Sequence, residues 1–186
     1  MFIKMKLKEL KQEIEIPSGV EVLVEGTTVK TKGPKGENHR FFHYPKIKIS
    51  KQDNKILLIA KKPSKKEKTM MGTIKSHIKN LIKGVDKGFI YKLKICSGHF
   101  PMKVTIEENH VLVNNFLGEK VPRKAKILAG VQAKIEGDEI VLEGIDKELV
   151  SQSSANIELA TRITNRDRRI FQDGCFITSK DGKEIR

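Results

Sequence analysis

Tryptophan is absent from this 186-residue chain, tyrosine occurs twice and phenylalanine eight times. So few aromatics leave no row of stacking side chains of the kind that reads unpaired bases on an RNA-recognition sheet. Cysteine is as rare. Cys96 and Cys175 alone cannot build a disulfide framework, so a reduced, cytoplasmic chain is expected. No apolar run approaches the roughly 20 residues needed to span a bilayer. Residues 1–10 alternate lysine with apolar residues and lack the unbroken apolar stretch of a secretory signal, and no membrane partner is expected. Enzyme patterns are missing too. Gly33-Pro34-Lys35-Gly36 lacks the spacing of a phosphate-binding P-loop, and no Ser or Cys is framed as a nucleophile. No glycine-rich cofactor loop is found. Cys96 and His99 have CxxH spacing without a second pair to complete a tetrahedral site. The expectation is a protein with no enzymatic activity, no cofactor and no metal.

What the chain has in excess is positive charge and a repeat. Lys+Arg outnumber Asp+Glu by 37 to 23, a net charge of +14. Such an excess repels itself and points to a polyanionic partner. The basic residues are spread along the chain, which suits several surfaces on folded RNA better than one tail on DNA. Residues 20–37 (VEVLVEGTTVKTKGPKGE) recur as residues 131–148 (VQAKIEGDEIVLEGIDKE). One offset superposes Glu25 on Glu136, Gly26 on Gly137, Gly33 on Gly144 and Glu37 on Glu148, with apolar positions kept at Val24/Ile135 and Val29/Ile140. Two copies are too few for a solenoid. They imply an α+β fold of two tandem duplicated domains, each a small antiparallel sheet packed against helix, over residues 1–84 and 85–186.

The local signals agree with that division. Val20, Val22 and Val24, then Val29, Thr31 and Gly33, alternate across Glu25-Gly26-Thr27-Thr28, which predicts a hairpin. Residues 47–49 and 56–59 predict a second one across Asp53-Asn54. From Thr69 the period becomes helical, with Met70, Ile74, Ile78, Leu81 and Ile82 on one stripe and Gly84 as the expected C-cap. Residues 85–88 would link the domains. The second half predicts strands at 91–96, 102–106, 111–113, 126–128, 131–135 and 140–142. Asp146 then caps a helix with Val150, Ala155, Ile157 and Ala160 on its apolar face, and Phe171 with 176–177 reads as a closing strand or extension.

Four basic features are candidates for RNA contact. Residues 61–68 (KKPSKKEK) read either as a solvated loop or as a phosphate-contacting one. Lys75, Lys79 and Lys83 recur on one helix face, either as a phosphate rail or as ordinary exposed lysines. Lys120, Arg123, Lys124 and Lys126 form a third cluster. The most specific is Arg162, Arg166, Arg168 and Arg169, because the planar guanidinium matches phosphate oxygens and stacks on bases. Asn165 and Asp167 within it suggest a structured turn. The bland alternative pairs Arg162 with Glu158 and Asp167 with a neighbour.

Several stretches resemble the archaeal-type form of the large-ribosomal-subunit protein six family. They are VKTKGPKGE (29–37), HIKNLIKGVDKGFIYKLK (77–94), HFPMKV (99–104), NFLGEK (115–120), VLEGIDKELVSQSSANIE (141–158) and ATRITNRDRRIFQDG (160–174). The resemblance implies two domains of duplicated fold and a structural, cytoplasmic role in the ribosome. It implies binding to large-subunit ribosomal RNA near the sarcin–ricin loop, beside the docking site of translational GTPases and among neighbouring ribosomal proteins. The second domain would make much of the RNA contact. By matching positions, this points to Lys147, Gln152, Asn156, Arg162, Arg166, Arg168 and Arg169, with Lys120, Arg123 and Lys124 added from the local charge cluster. Residues 1–10 and the 61–68 loop fit the family poorly. A free RNA-binding regulator is the competing expectation.

Overall fold

Apolar–charged alternation folds into antiparallel strands in both halves of the chain in the computed structural model, which describes residues 9–61 and 63–185. The chain divides between Lys87 and Gly88 into two units. The first unit contains β1 (Glu9–Glu15), β2 (Glu21–Glu25), β3 (Thr28–Gly33), β4 (Gly36–Phe41), β5 (Ile47–Gln52), β6 (Lys55–Lys61) and α1 (Lys65–Asp86). Its strands form two three-stranded sheets, in the orders β1-β6-β5 and β2-β3-β4. Helix α1 packs on both, burying Met71, Ile74, Ile78 and Val85 in a core with Ile14, Val22, Val29, Ile56 and Leu58.

The second unit contains β7 (Phe89–Cys96), β8 (Lys103–Glu107), β9 (His110–Asn114), β10 (Arg123–Lys126), β11 (Val131–Glu136), β12 (Glu139–Gly144), α2 (Lys147–Ala160), β13 (Gly174–Lys180) and β14 (Lys183–Glu184). A five-stranded sheet, β11-β12-β7-β13-β14, and a three-stranded one, β10-β9-β8, carry it. Helix α2 again touches both sheets. Its core gathers Phe89, Leu93, Phe116, Ile140, Leu142 and Ile157. The fold is therefore α+β and duplicated, with two small sheets per unit where the sequence suggested one.

The repeated hairpin keeps its register in both copies. Glu25 pairs with Thr28 and Val22 with Thr31, while Glu136 pairs with Glu139 and Ala133 with Leu142. Gly26 and Gly137 hold the turns at the same left-handed φ of 61°, a conformation glycine adopts without steric cost. Gly33 and Gly144 serve a different need. A Cβ at Gly33 would lie 2.6 Å from the Val85 carbonyl oxygen, and one at Gly144 would lie 2.7 Å from Val150 Cγ2. Each glycine lets the helix of its unit approach the end of the hairpin. The duplication is thus preserved in pairing, turn and helix contact together.

Several expectations change, and one strand goes unpredicted. The strand expected at 126–128 lies at Arg123–Lys126, and Phe171 precedes β13 instead of joining it. Helix α1 starts at Lys65 and not at Thr69, because Ser64 and Glu67 form a capping box: the Ser64 side chain accepts from Lys66 N–H, and Glu67 accepts from Ser64 N–H at 2.9 Å and from the Ser64 hydroxyl. Half of the 61–68 run is therefore the first turn of α1 and not loop, Lys61 ends β6, and Lys62 lies outside the described residues. Gly84 is buried within α1, since the helix continues to bury Val85; the left-handed glycine after the helix is Gly88, at φ 77°. The buried methionine is Met71, while Met70 is half-buried. Strand β4, with no apolar residue before Phe41, escapes any alternation test yet pairs with β3 throughout.

Candidate nucleic-acid interface

Helix α2 carries the candidates Lys147, Gln152 and Asn156, and its packing determines how they are presented. Asp146 Oδ1 accepts from Glu148 N–H at 2.8 Å, as the sequence suggests for an N-cap. The buried face is Val150, Ser153, Ser154 and Ile157, so Ala155 and Ala160 are only partly covered. Both serines are satisfied internally. Ser153 Oγ accepts from Leu128 N–H and Ser154 Oγ donates to the Val150 carbonyl, so neither hydroxyl is stranded under the helix. Lys147 is exposed at the first turn. Gln152 Nε2 donates to Asn156 Oδ1, and Asn156 Nδ2 donates to the Lys126 carbonyl. Asn156 thus ties α2 to β10, while Lys147 stands at the first turn of the same helix.

The arginine segment follows α2 as an ordered turn. Thr161 is buried and its Oγ1 accepts from Cys175 N–H at 2.9 Å. Ile163 is buried as an anchor, Asn165 takes a left-handed φ of 58°, and the Asp167 carbonyl accepts from Ile170 and Phe171 N–H. Further on, Asp173 is fully buried and accepts from Gly98 N–H (2.6 Å), His99 N–H (2.9 Å) and His99 Nδ1–H (2.7 Å). Burial pushes its carboxyl up, but the His99 and Gly98 donors together hold it below the ordinary value. His99 in turn lies against Phe171, ring centroids 4.8 Å apart, and Arg166 sits 5.0 Å from the Phe171 ring centre. Neither Asp173 nor His99 was selected by sequence reasoning. They lie 74 residues apart, and nothing local marks the pair.

The candidate cations differ sharply in what they already hold. Arg123 is engaged through every guanidinium nitrogen: Nε and one terminal nitrogen to Glu119, the other terminal nitrogen to the Ala160 and Arg162 carbonyls, with the Phe116 ring 4.2 Å away. It braces the end of α2 against β10. Arg169 is paired with Asp167 at 2.8 Å, which lowers the Asp167 carboxyl below its ordinary value. That is the neighbour pairing weighed from the sequence. Glu158 accepts from Ile177 N–H, and no Glu158–Arg162 pair is found among the described residues. Arg162 and Arg168 are exposed with no acidic partner among the described residues, and Lys120 and Lys124 are exposed as well. In the first unit, Lys79 and Lys83 share a groove with Glu13, Glu15 and Asp86, so counter-charges accompany that lysine row.

Arg162, Arg168 and Arg169 come together at one open groove of about 760 Å³. Its remaining walls include Leu159, Ile163, Phe171, Phe176 and Cys96. Leu159 is 59% exposed although it is a large apolar side chain on a helix. These apolar walls were invisible in the sequence because they come from α2, the arginine turn, β7 and β13. Cys175 is not among them, and burial pushes its thiol up to about 12. Lys120, Lys124 and Lys147 do not line this groove.

Comparison with known proteins agrees with this duplicated architecture. The profile of the family described as ribosomal protein L6 matches residues 16–88 and again residues 100–174. The large ribosomal subunit protein uL6 of Methanobrevibacter smithii is 46% identical over 172 residues, covering 92% of this chain and 97% of that protein. The protein of the same name from Methanococcus vannielii is 47% identical over 176 residues, covering 95% and 97%. With the family matched once in each unit and the similarity running over nearly the whole length, this chain belongs to the ribosomal protein L6 family.

Proposed function

We propose that this chain is a non-catalytic structural constituent of the large ribosomal subunit in the cytoplasm, and that its second unit is the main contact to large-subunit ribosomal RNA. The observation that carries the reading is the arginine turn: Arg162, Arg166, Arg168 and Arg169 are exposed on a segment fixed by Thr161, Ile163 and Asp173. A fixed turn presents cations without the entropy cost of ordering a tail, which suits bracing of folded RNA. The family resemblance supports the finer placement near the sarcin–ricin loop, beside the docking site of translational GTPases and among other ribosomal proteins. Arg162 and Arg168 are the strongest phosphate contacts, with Lys120, Lys124 and Lys147 as flanking charge. Gln152, Asn156 and Arg123 act chiefly by holding α2 on β10.

The test is subunit incorporation of Arg168→Glu/Arg169→Glu. The double variant keeps the circular dichroism and melting behaviour of the parent but is depleted from large subunits in a sucrose gradient. Normal incorporation of the folded variant overturns the assignment.

A further inference from the structure

The groove at the end of α2 has a composition that phosphate contact alone does not explain. Its lining combines the apolar Leu159, Phe171 and Phe176 with three arginines; both phenylalanines are half-buried, while Arg162, Arg168 and Arg169 are exposed. Glu158 and Gln172 also line it. A carboxylate on the groove wall repels a phosphate there, whereas the Glu158 oxygen not bonded to Ile177 N–H can accept from the amino or imino N–H of a base. The amide of Gln172 can likewise meet a base edge, since base edges present both donors and acceptors. Charge therefore sorts the two halves of a nucleotide: anion at the exposed arginines, flat and weakly polar ring against the apolar side chains. The volume of about 760 Å³ lies in the range of small-molecule sites, roughly 300–1,000 Å³.

We propose that this groove receives one unstacked nucleobase of the bound RNA, with the adjoining phosphates held by Arg162 and Arg168. This rests on the RNA-binding reading and deepens it. A chain whose few aromatics exclude a row of stacking positions still assembles one such position by folding. Leu159 and Phe176 supply the apolar contact, and Phe171 is held in place by His99 and Arg166. Arg169 is held by Asp167 and lines the groove as a braced side chain. The ligand class is a single-stranded or bulged nucleotide, not a paired helix, because a base inside a duplex cannot enter a groove.

The test uses the full chain bound to protein-free large-subunit ribosomal RNA. After short-wave ultraviolet irradiation, the expected result is a nucleotide cross-linked to a peptide containing Cys96, Phe171 or Phe176. Leu159→Glu removes that cross-link and weakens RNA binding about tenfold, the order expected from losing one base-stacking contact. Leu159→Met keeps both. If the wild-type chain binds the RNA but cross-links only through other surfaces, the groove proposal fails and the RNA-binding reading survives. If Leu159→Glu binds and cross-links undiminished, the groove proposal also fails. Absence of RNA binding by the wild type overturns both readings.

Discussion

Individual residues separate cleanly into those that hold the fold and those left over for a partner. Arg123 and Arg168 carry the same charge in adjacent parts of one unit, yet Arg123 is saturated by Glu119, two carbonyls and Phe116, while Arg168 is exposed. Arg123→Ala is expected to lower stability in urea by about 1–3 kcal/mol, the range for breaking charged hydrogen bonds. Arg168→Ala is expected to leave the urea midpoint unchanged and to weaken RNA binding. Glu67 marks the same division in the first unit. Its bonds to the Ser64 hydroxyl and N–H, together with Lys46, lower its carboxyl from 4.5 to about 2. A carboxyl depressed by folding stabilises fully above its unfolded value and loses that contribution as pH falls through its folded one. Thermal melts should therefore lose stability between about pH 4.5 and about pH 2, and Glu67→Gln should flatten that decline. An equal decline in the variant assigns the acid sensitivity to other carboxyls.

Elements were legible where periodicity was clean and hidden where polar letters filled structural positions. The hairpin of Val22, Val24 and Val29 and its copy at Ile135 and Ile140 announce themselves by alternation, and their registers agree. Helix α2 read weakly because Ser153 and Ser154 occupy its buried face. Strand β4 gives no signal in the sequence because Glu37, Asn38, His39 and Arg40 supply no apolar alternation. The start of α1 was legible in Ser64 and Glu67, whose spacing is a capping box, but the surrounding lysines drew the reading toward a loop. Close helix approach accounts for the repeated glycines. Gly33→Ala drives a Cβ into the Val85 backbone, which cannot rotate away; Gly144→Ala meets chiefly a Val150 methyl. Both substitutions should destabilise, by about 1–3 kcal/mol for forced overpacking, and Gly33→Ala by more. Equal midpoints in denaturant for Gly33→Ala and the parent contradict that packing.

At the scale of the whole molecule, net charge, duplication and family membership were all legible in the sequence, whereas the groove was not. Its walls are contributed by four segments whose contacts are long-range, and its apolar lining depends on Leu159, Phe171 and Phe176 arriving together. The arginines were found from their clustering alone, but which of them were already occupied required the fold. A net charge of +14 predicts RNA binding that weakens steeply with salt, with a log–log slope of about −0.7 to −0.9 per phosphate contact. Arg168→Glu/Arg169→Glu should make that slope shallower by roughly one to two contacts, and an unchanged slope removes those side chains from the phosphate contacts. The most direct measurement is sedimentation of lysate through a high-salt sucrose gradient with this chain tracked across the fractions. Stoichiometric retention in the large-subunit peak is the expected result. Release to the top of the gradient while the subunits remain intact contradicts a structural role and favours an RNA-binding protein that acts away from the ribosome.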